Sequence, residues 1–238
     1  MELSICPRIR DLCVLIAIEG IDGSGKGTQA ARVQARLVAQ GRKAALLSFP
    51  RYQQTVFGQK IGDFLNGKFG NLDSVHPLLV SLLFAGDRFE SRELIEQTMA
   101  SHDIVICDRY IASNMAHQAA KVPESDRQEL IEWIHHLESS IYKLPPAQLT
   151  LFLDIPVPIA QRLIATKSQR TYTDKAADLQ EADAHYLQRV RDVYNQLATG
   201  PGWKRIPCVN NDEIRPIDSI TNEIVAAISS IDTAHGGE

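Results

Sequence analysis

The chain is short of the features that mark several large protein classes. Positive charge has no majority: 25 lysines and arginines stand against 29 acidic residues, a formal charge of −4. A surface so balanced carries no basic footprint, so no nucleic-acid partner is expected. Cysteine is scarce, with 4 residues at 6, 13, 107 and 208 and no Cys-x-x-Cys pair. That distribution argues against a disulfide framework and a thiolate zinc site, and it reads as free buried thiols in a reducing compartment. Long apolar runs are missing as well. "CVLIAI", after the opening "MELSICPRIRDL", is too short to span a bilayer or to form a signal h-region. A cytoplasmic protein away from membranes is the expectation. Repeats, low-complexity tracts and obvious linkers are absent too, and 238 residues at 44% hydrophobic suit one α/β domain with an ordinary core.

The apolar residues come in short continuous runs. "CVLIAIEG" (13–20), "KAALLSF" (43–49), "DIVICD" (103–108), "QLTLFLDI" (148–155) and "KRIPCVN" (204–210) read as strands buried on both faces. Helical spacing separates them. It predicts a helix from Lys26, a short one over 55–67 with two internal glycines, and a long one from about Ser74 to Met99. Further helices are expected over 124–144, with Leu130, Ile134, Leu137 and Ile141 on one face, and over 213–231. Strands alternating with helices imply a five-stranded parallel sheet flanked by helices. The polar stretch 167–182 is the candidate for a short lid, 1–12 for an N-terminal extension and 232–238 for a flexible tail.

"EGIDGSGKGTQA" (19–30) lies between the first strand and its helix. Gly20 and Gly25 have the gap of a phosphate-binding loop, and Lys26 follows directly. Glycines let successive N–H groups turn inward as an anion nest. The helix terminus adds partial positive charge, and the lysine reaches the outer phosphates. Such loops normally continue with Ser or Thr, whose hydroxyl reaches Mg²⁺, and here Gly27 stands instead. Thr28 points about 100° further round the helix and can serve an inner phosphate, not that metal position. A carboxylate must then help, directly or through water. Asp108 ends the third strand at the sheet edge where ligands bind, with Arg109 beside it, and Arg51 follows the second strand at that edge. Phe84 and Arg88 share a helix face and could hold a flat base.

With "EGIDGSGK", "FPRY…FGQKIGDFL", "LLFAGDRFE", "DRYIASNMAHQ", "LFLDIPVPIAQR" and "RVRDVYNQLA" in this order, the chain resembles the thymidylate kinase family of P-loop nucleoside-monophosphate kinases. The resemblance implies a P-loop α/β fold with a short lid, ATP and Mg²⁺, phosphorylation of dTMP to dTDP for dTTP synthesis, and a homodimer. It implies that Gly20, Asp22, Gly23, Ser24, Gly25, Lys26, Gly27 and Thr28 hold the donor phosphates, with Arg162, Lys167 and the lid residue Arg170 over the donor nucleotide. Arg51 and Arg109 would grip the acceptor phosphate, with Asp22 near it and the sugar. Phe84 would stack on thymine, Arg88 would bond the base, Asn114 would face its polar edge with Gln118 nearby, and Asp108 would act beside the metal. Lys26, Arg51, Asp108, Arg109 and Arg170 form the expected catalytic set.

Two departures stand out. "GKGT" is the adenylate-kinase form of the loop, and His117 stands where relatives often carry a sugar-facing Tyr. A different acceptor, such as dUMP, dGMP or AMP, therefore stays open beside dTMP. A non-catalytic nucleotide-binding regulator is a further alternative, against which the arginine set argues.

Overall fold

The continuous apolar runs are the strands. In the computed structural model, which describes residues 13–165, 180, 181, 183–211 and 213–235, they assemble as expected. β1 (Val14–Glu19), β2 (Ala44–Ser48), β3 (Ile104–Asp108), β4 (Leu149–Asp154) and β5 (Trp203–Pro207) form one parallel sheet in the order β2-β3-β1-β4-β5. Side chains of both alternations in β1, β3 and β4 are buried, as a sheet covered on both faces requires. The covering helices are α1 (Lys26–Ala39), α2 (Val56–Leu65), α3 (Pro77–Glu90), α4 (Arg92–Ser101), α5 (Ile111–Ala119), α6 (Glu124–His135), α7 (Val157–Ala165), α8 (Ala184–Leu197) and α9 (Ile217–His235). Cys13, Cys107 and Cys208 are free and buried, while Cys6 and the extension 1–12 lie outside the described residues.

Several elements differ from their sequence expectation. The long helix over 74–99 is two, α3 and α4, meeting at Ser91. The Ser91 hydroxyl donates to the Asp87 carbonyl at 2.8 Å, the kind of side-chain bond that competes with helix continuation. α5 shows no periodicity because all nine of its residues are buried, so it has no polar face to reveal it. α6 passes into a π-helical segment, His136–Ile141. The widened turn shifts the face by one position: Glu138 is fully buried and Ile141 is 58% exposed, the reverse of the helical expectation. The chain after β5 forms an antiparallel pair, β6 (Val209–Asn210) with β7 (Glu213–Ile214). α9 consequently starts at Ile217 and carries the backbone of 232–235, which the tail was expected to include, as helix.

Strand register positions the site. Ile18 and Ser48 both align with Asp108, so the segments leaving β1, β2 and β3 emerge side by side at one carboxyl edge. Those segments hold the glycine loop, Arg51 and Arg109.

Candidate active site

The glycine loop takes a shape that only glycine allows. Gly20 has φ 146°, and a Cβ there would stand 2.7 Å from the Leu153 carbonyl oxygen. Gly23 has φ 81°, and a Cβ would come within 2.3 Å of the Ala160 carbonyl oxygen. Gly25 precedes α1 in the left-handed region, and the first turn of α1 holds no acidic residue. No carboxylate of the helix itself therefore competes for the N–H groups at that end. Lys26 is buried with its Nζ donating to the Ile21 carbonyl at 2.8 Å, 3.4 Å from Ser24 Oγ. Gly27 and Thr28 are exposed at the helix start. A Cβ at Gly27 would lie 3.1 Å from Asp108 Oδ2, so the carboxylate stands directly against the position that lacks a hydroxyl.

Beside it, Arg109 holds a left-handed backbone, φ 68°. Its guanidinium pairs with Asp22 and donates to Ser113 Oγ at 3.2 Å. The corner is anchored by Glu19, fully buried at the end of β1. Glu19 accepts the Tyr110 N–H at 2.7 Å, the Ser113 N–H at 3.2 Å and the Tyr194 hydroxyl at 2.9 Å. Burial pushes its carboxyl above the usual carboxylate range, and these hydrogen bonds and Arg109 offset part of that rise. Arg109 Nη1 also lies 3.3 Å from His117 Nε2. A guanidinium only donates, so Nε2 accepts and the imidazole proton sits on Nδ1. Nδ1 then donates to the Tyr186 hydroxyl at 2.9 Å, which itself donates to the His117 carbonyl at 3.1 Å.

A cleft opens between this corner and α2, α3 and α5. Asp22, Phe84, Arg88, Arg109, His117 and Gln118 line it, with Phe49, Pro50, Tyr52 and Gln180. Its polar depth is ordered by charged partners. Buried Arg88 forks onto Glu138, with Nη2 to Oε1 at 2.7 Å. Asn114 Nδ2 donates to Glu138 Oε1 at 2.9 Å and to the Ser81 carbonyl at 3.0 Å. Both partners are acceptors, so the amide orientation is set by chemistry. Gln118 Oε1 accepts from Lys121 Nζ at 3.1 Å. On α5, two buried side-chain atoms remain without a hydrogen-bond partner among the described residues, the acceptor Asn114 Oδ1 and the donor Gln118 Nε2.

Comparison with known proteins agrees with this fold. The family model described as thymidylate kinase matches residues 18–217. A thymidylate kinase of Mycobacterium tuberculosis is 36% identical over 191 residues, covering 80% of this chain and 87% of the relative. The chain belongs to the thymidylate kinase family. A probable thymidylate kinase of Thermococcus onnurineus is 33% identical over 220 residues, covering 90% of this chain and 97% of its own length. The solved thymidylate kinase structure from Candida albicans matches in fold, with TM-score 0.69 and 24% identity, across 94% of this chain and 93% of that one.

Measured against the residues expected of a thymidylate kinase, the structure gathers most at one edge and leaves some apart. Arg51 is half-buried, its N–H donating to Asp87 Oδ2 at 3.1 Å and its Nη1 to Ser91 Oγ at 3.1 Å. Arg162 is exposed on α7. Lys167 and Arg170 lie outside the described residues, as does most of the lid stretch. The sequence reading missed Glu19, Asp87, Lys121, Glu138, Tyr186 and Tyr194, which hold the cleft residues in place. Glu19 directly precedes the glycine loop in the sequence. Glu138 was hidden on what looked like the polar face of an α-helix.

Proposed function

We propose that this thymidylate kinase binds dTMP in the α2–α3–α5 cleft and the ATP phosphates on the Gly20–Thr28 loop, and transfers the γ-phosphoryl group to give dTDP. The carrying observation is the pair of unpartnered amide atoms. A buried acceptor, Asn114 Oδ1, and a buried donor, Gln118 Nε2, complement a base edge that offers N–H beside C=O. Thymine N3–H and O4 form such an edge. Phe84 supplies a face for stacking, and Arg88, with Nε and Nη2 committed to Glu138, has Nη1 to offer.

An oxygen of the acceptor phosphate attacks the γ-phosphorus. A new P–O bond forms as the bond to the ADP oxygen breaks. No covalent nucleophile is needed, and no general base, because the acceptor phosphate is largely ionised at neutral pH, its second pKa being about 6. The chain's own contribution is position and charge. Lys26 serves the donor phosphates, Arg109 and Arg51 the acceptor phosphate. The Asp22–Arg109 pair holds one of those guanidinium groups ready. Arg170, Lys167 and Arg162 complete the donor side in this reading. Mg²⁺ fits the donor set: Asp108 presents a carboxylate oxygen against Gly27, and an oxygen ligand is what the metal takes. When bound, the ion neutralises charge on the donor phosphates. A cytoplasmic homodimer completes the proposal, and the exposed Val56, Leu79 and Phe89 are apolar groups that a partner would cover.

A coupled assay over dTMP, dUMP, UMP, dGMP and AMP tests this function. dTMP is expected to have the highest kcat/KM. dUMP, lacking one methyl group, should fall lower by roughly 10–200-fold. Lys26→Met should lose about 10³-fold or more of turnover while staying folded. Faster turnover of dGMP or AMP, or no turnover of any acceptor, would overturn the proposal.

A further inference from the structure

Gln118 is wholly buried in the wall of the cleft. A carboxamide offers opposite chemistry at its two ends: its oxygen accepts and its nitrogen donates. Which end faces a ligand decides what that ligand must present. Lys121 lies in the turn that closes α5, its own N–H donating to the Gln118 carbonyl at 3.0 Å. Its Nζ donates to Gln118 Oε1 at 3.1 Å. Burial lowers the Lys121 pKa from the ordinary 10.5 to about 7, with the Asp73 charge offsetting part of that fall. In its ammonium form the group has no lone pair, so this contact draws the amide oxygen and leaves Nε2 as the end available to a ligand. The ammonium is itself held, 5.0 Å from the Phe64 ring centroid and 5.8 Å from that of Tyr186. Lys121 is absent from the lining of the cleft.

Resting on the reading of this cleft as the dTMP site, we propose that Lys121 is a positioning residue that sets base selectivity by holding Gln118 with its N–H toward the acceptor. Thymine and uracil carry an oxygen at C4 that accepts this N–H. Cytosine carries an amino group there, and two donors would face each other with water excluded. An amide free to turn would present its oxygen and accept the cytosine amino group. Asn114 Oδ1 also opposes cytosine, whose N3 is an acceptor, and it stays in place in every variant. The lysine adds the part of the selection made at C4, without touching either pyrimidine.

The experiment is kcat/KM for dTMP, dUMP and dCMP on wild type, Lys121→Met and Lys121→Arg. Methionine keeps an apolar stem against Phe64 and Tyr186 and removes the donor. In it the dTMP/dCMP ratio should fall roughly tenfold or more, carried by a lower KM for dCMP, while the dTMP/dUMP ratio is unchanged. Lys121→Arg keeps a donor and should keep the wild-type ratio. A Lys121→Met variant that loses activity on dTMP and dCMP by the same factor has only a structural defect, and that result overturns the proposal. So does a Lys121→Arg enzyme as unselective as Lys121→Met. A second variant acts on the amide itself with Lys121 in place: Gln118→Glu offers only acceptors and should move preference toward dCMP, and an unchanged ratio refutes the proposal. Wild-type protein inactive on dTMP would instead defeat the assignment of the cleft, a result visible before any variant is made.

Discussion

Asp108 and Gly27 stand against each other where β3 ends and α1 begins. The carboxylate fills the neighbourhood of the missing hydroxyl, so its charge should govern metal use. Asp108→Asn is expected to raise the Mg²⁺ concentration for half-maximal rate by about 10–100-fold, read from a titration at saturating nucleotides. An unchanged titration would remove Asp108 from the metal side. His117 makes a pH prediction. Burial first, and then the Arg109 charge, push its pKa from the ordinary 6.5 down to about 3. Between those values the unfolded chain binds a proton that the folded chain refuses. Stability should therefore fall as pH drops below about 6.5, and this contribution is flat above it. His117→Gln removes the group, so its Tm should fall less than the wild-type Tm between about pH 7 and about pH 5. Lys26, Arg109 and Phe84 were legible as candidates because motif spacing names them. Glu19 and Tyr186 were not, because nothing in a one-dimensional pattern says that a carboxylate and a phenol will be buried beside Arg109 and His117.

Among elements, α2 shows how packing separates two residues that look alike. The sequence presents Gly58 and Gly62 as equal interruptions of a short helix. A Cβ at Gly58 would stand 2.3 Å from the Arg51 carbonyl oxygen, whereas one at Gly62 would meet only Tyr52 Cδ1, at 3.7 Å. Gly62→Ala should stabilise the protein by about 0.5–1 kcal/mol through helix propensity. Gly58→Ala should cost about 1–3 kcal/mol by overpacking and raise KM for dTMP, since the displaced turn carries Arg51. Denaturant midpoints and acceptor kinetics check the pair; equal effects would mean the Arg51 turn does not rest on Gly58. α5 and the π-helical segment lay beyond sequence patterns for separate reasons. A helix buried all round has no periodicity, and one extra residue in a turn rotates every later side chain out of phase. Asn114, His117 and Gln118 are on the first of these, and Glu138 is on the second.

At the scale of the whole molecule, the cleft is bounded by elements far apart in the chain, and a ligand there joins them. dTMP binds the folded state alone, so at 100 times its dissociation constant it should add about 2.7 kcal/mol of stability. For a chain of this size that is roughly 5–10 °C in Tm. Thermal melts with dTMP, ATP and adenosine check this. dTMP should stabilise without ATP, because the cleft shares only Asp22 with the glycine loop and its other lining residues lie outside that loop. A melt that dTMP leaves unmoved would mean that the folded protein does not bind it without ATP.

By itself the sequence determined the strands, the glycine loop and the family. These depend on local order: an apolar run is a buried strand wherever it pairs, and glycine spacing bends a loop whatever surrounds it. Tertiary structure decided the direction of each hydrogen bond in the cleft. Arg88 came to rest on Glu138, His117 on Arg109 and Tyr186, and Gln118 on Lys121. The Arg88–Glu138 and His117–Tyr186 partnerships join segments dozens of residues apart, Arg109 meets His117 from the corner before α5, and the Gln118–Lys121 pair closes a helix with no visible period. Burial makes each partner's charge dictate which end of its neighbour is left to meet a ligand. Which groups stand where was written locally; what each offers a substrate depended on neighbours that only folding supplies.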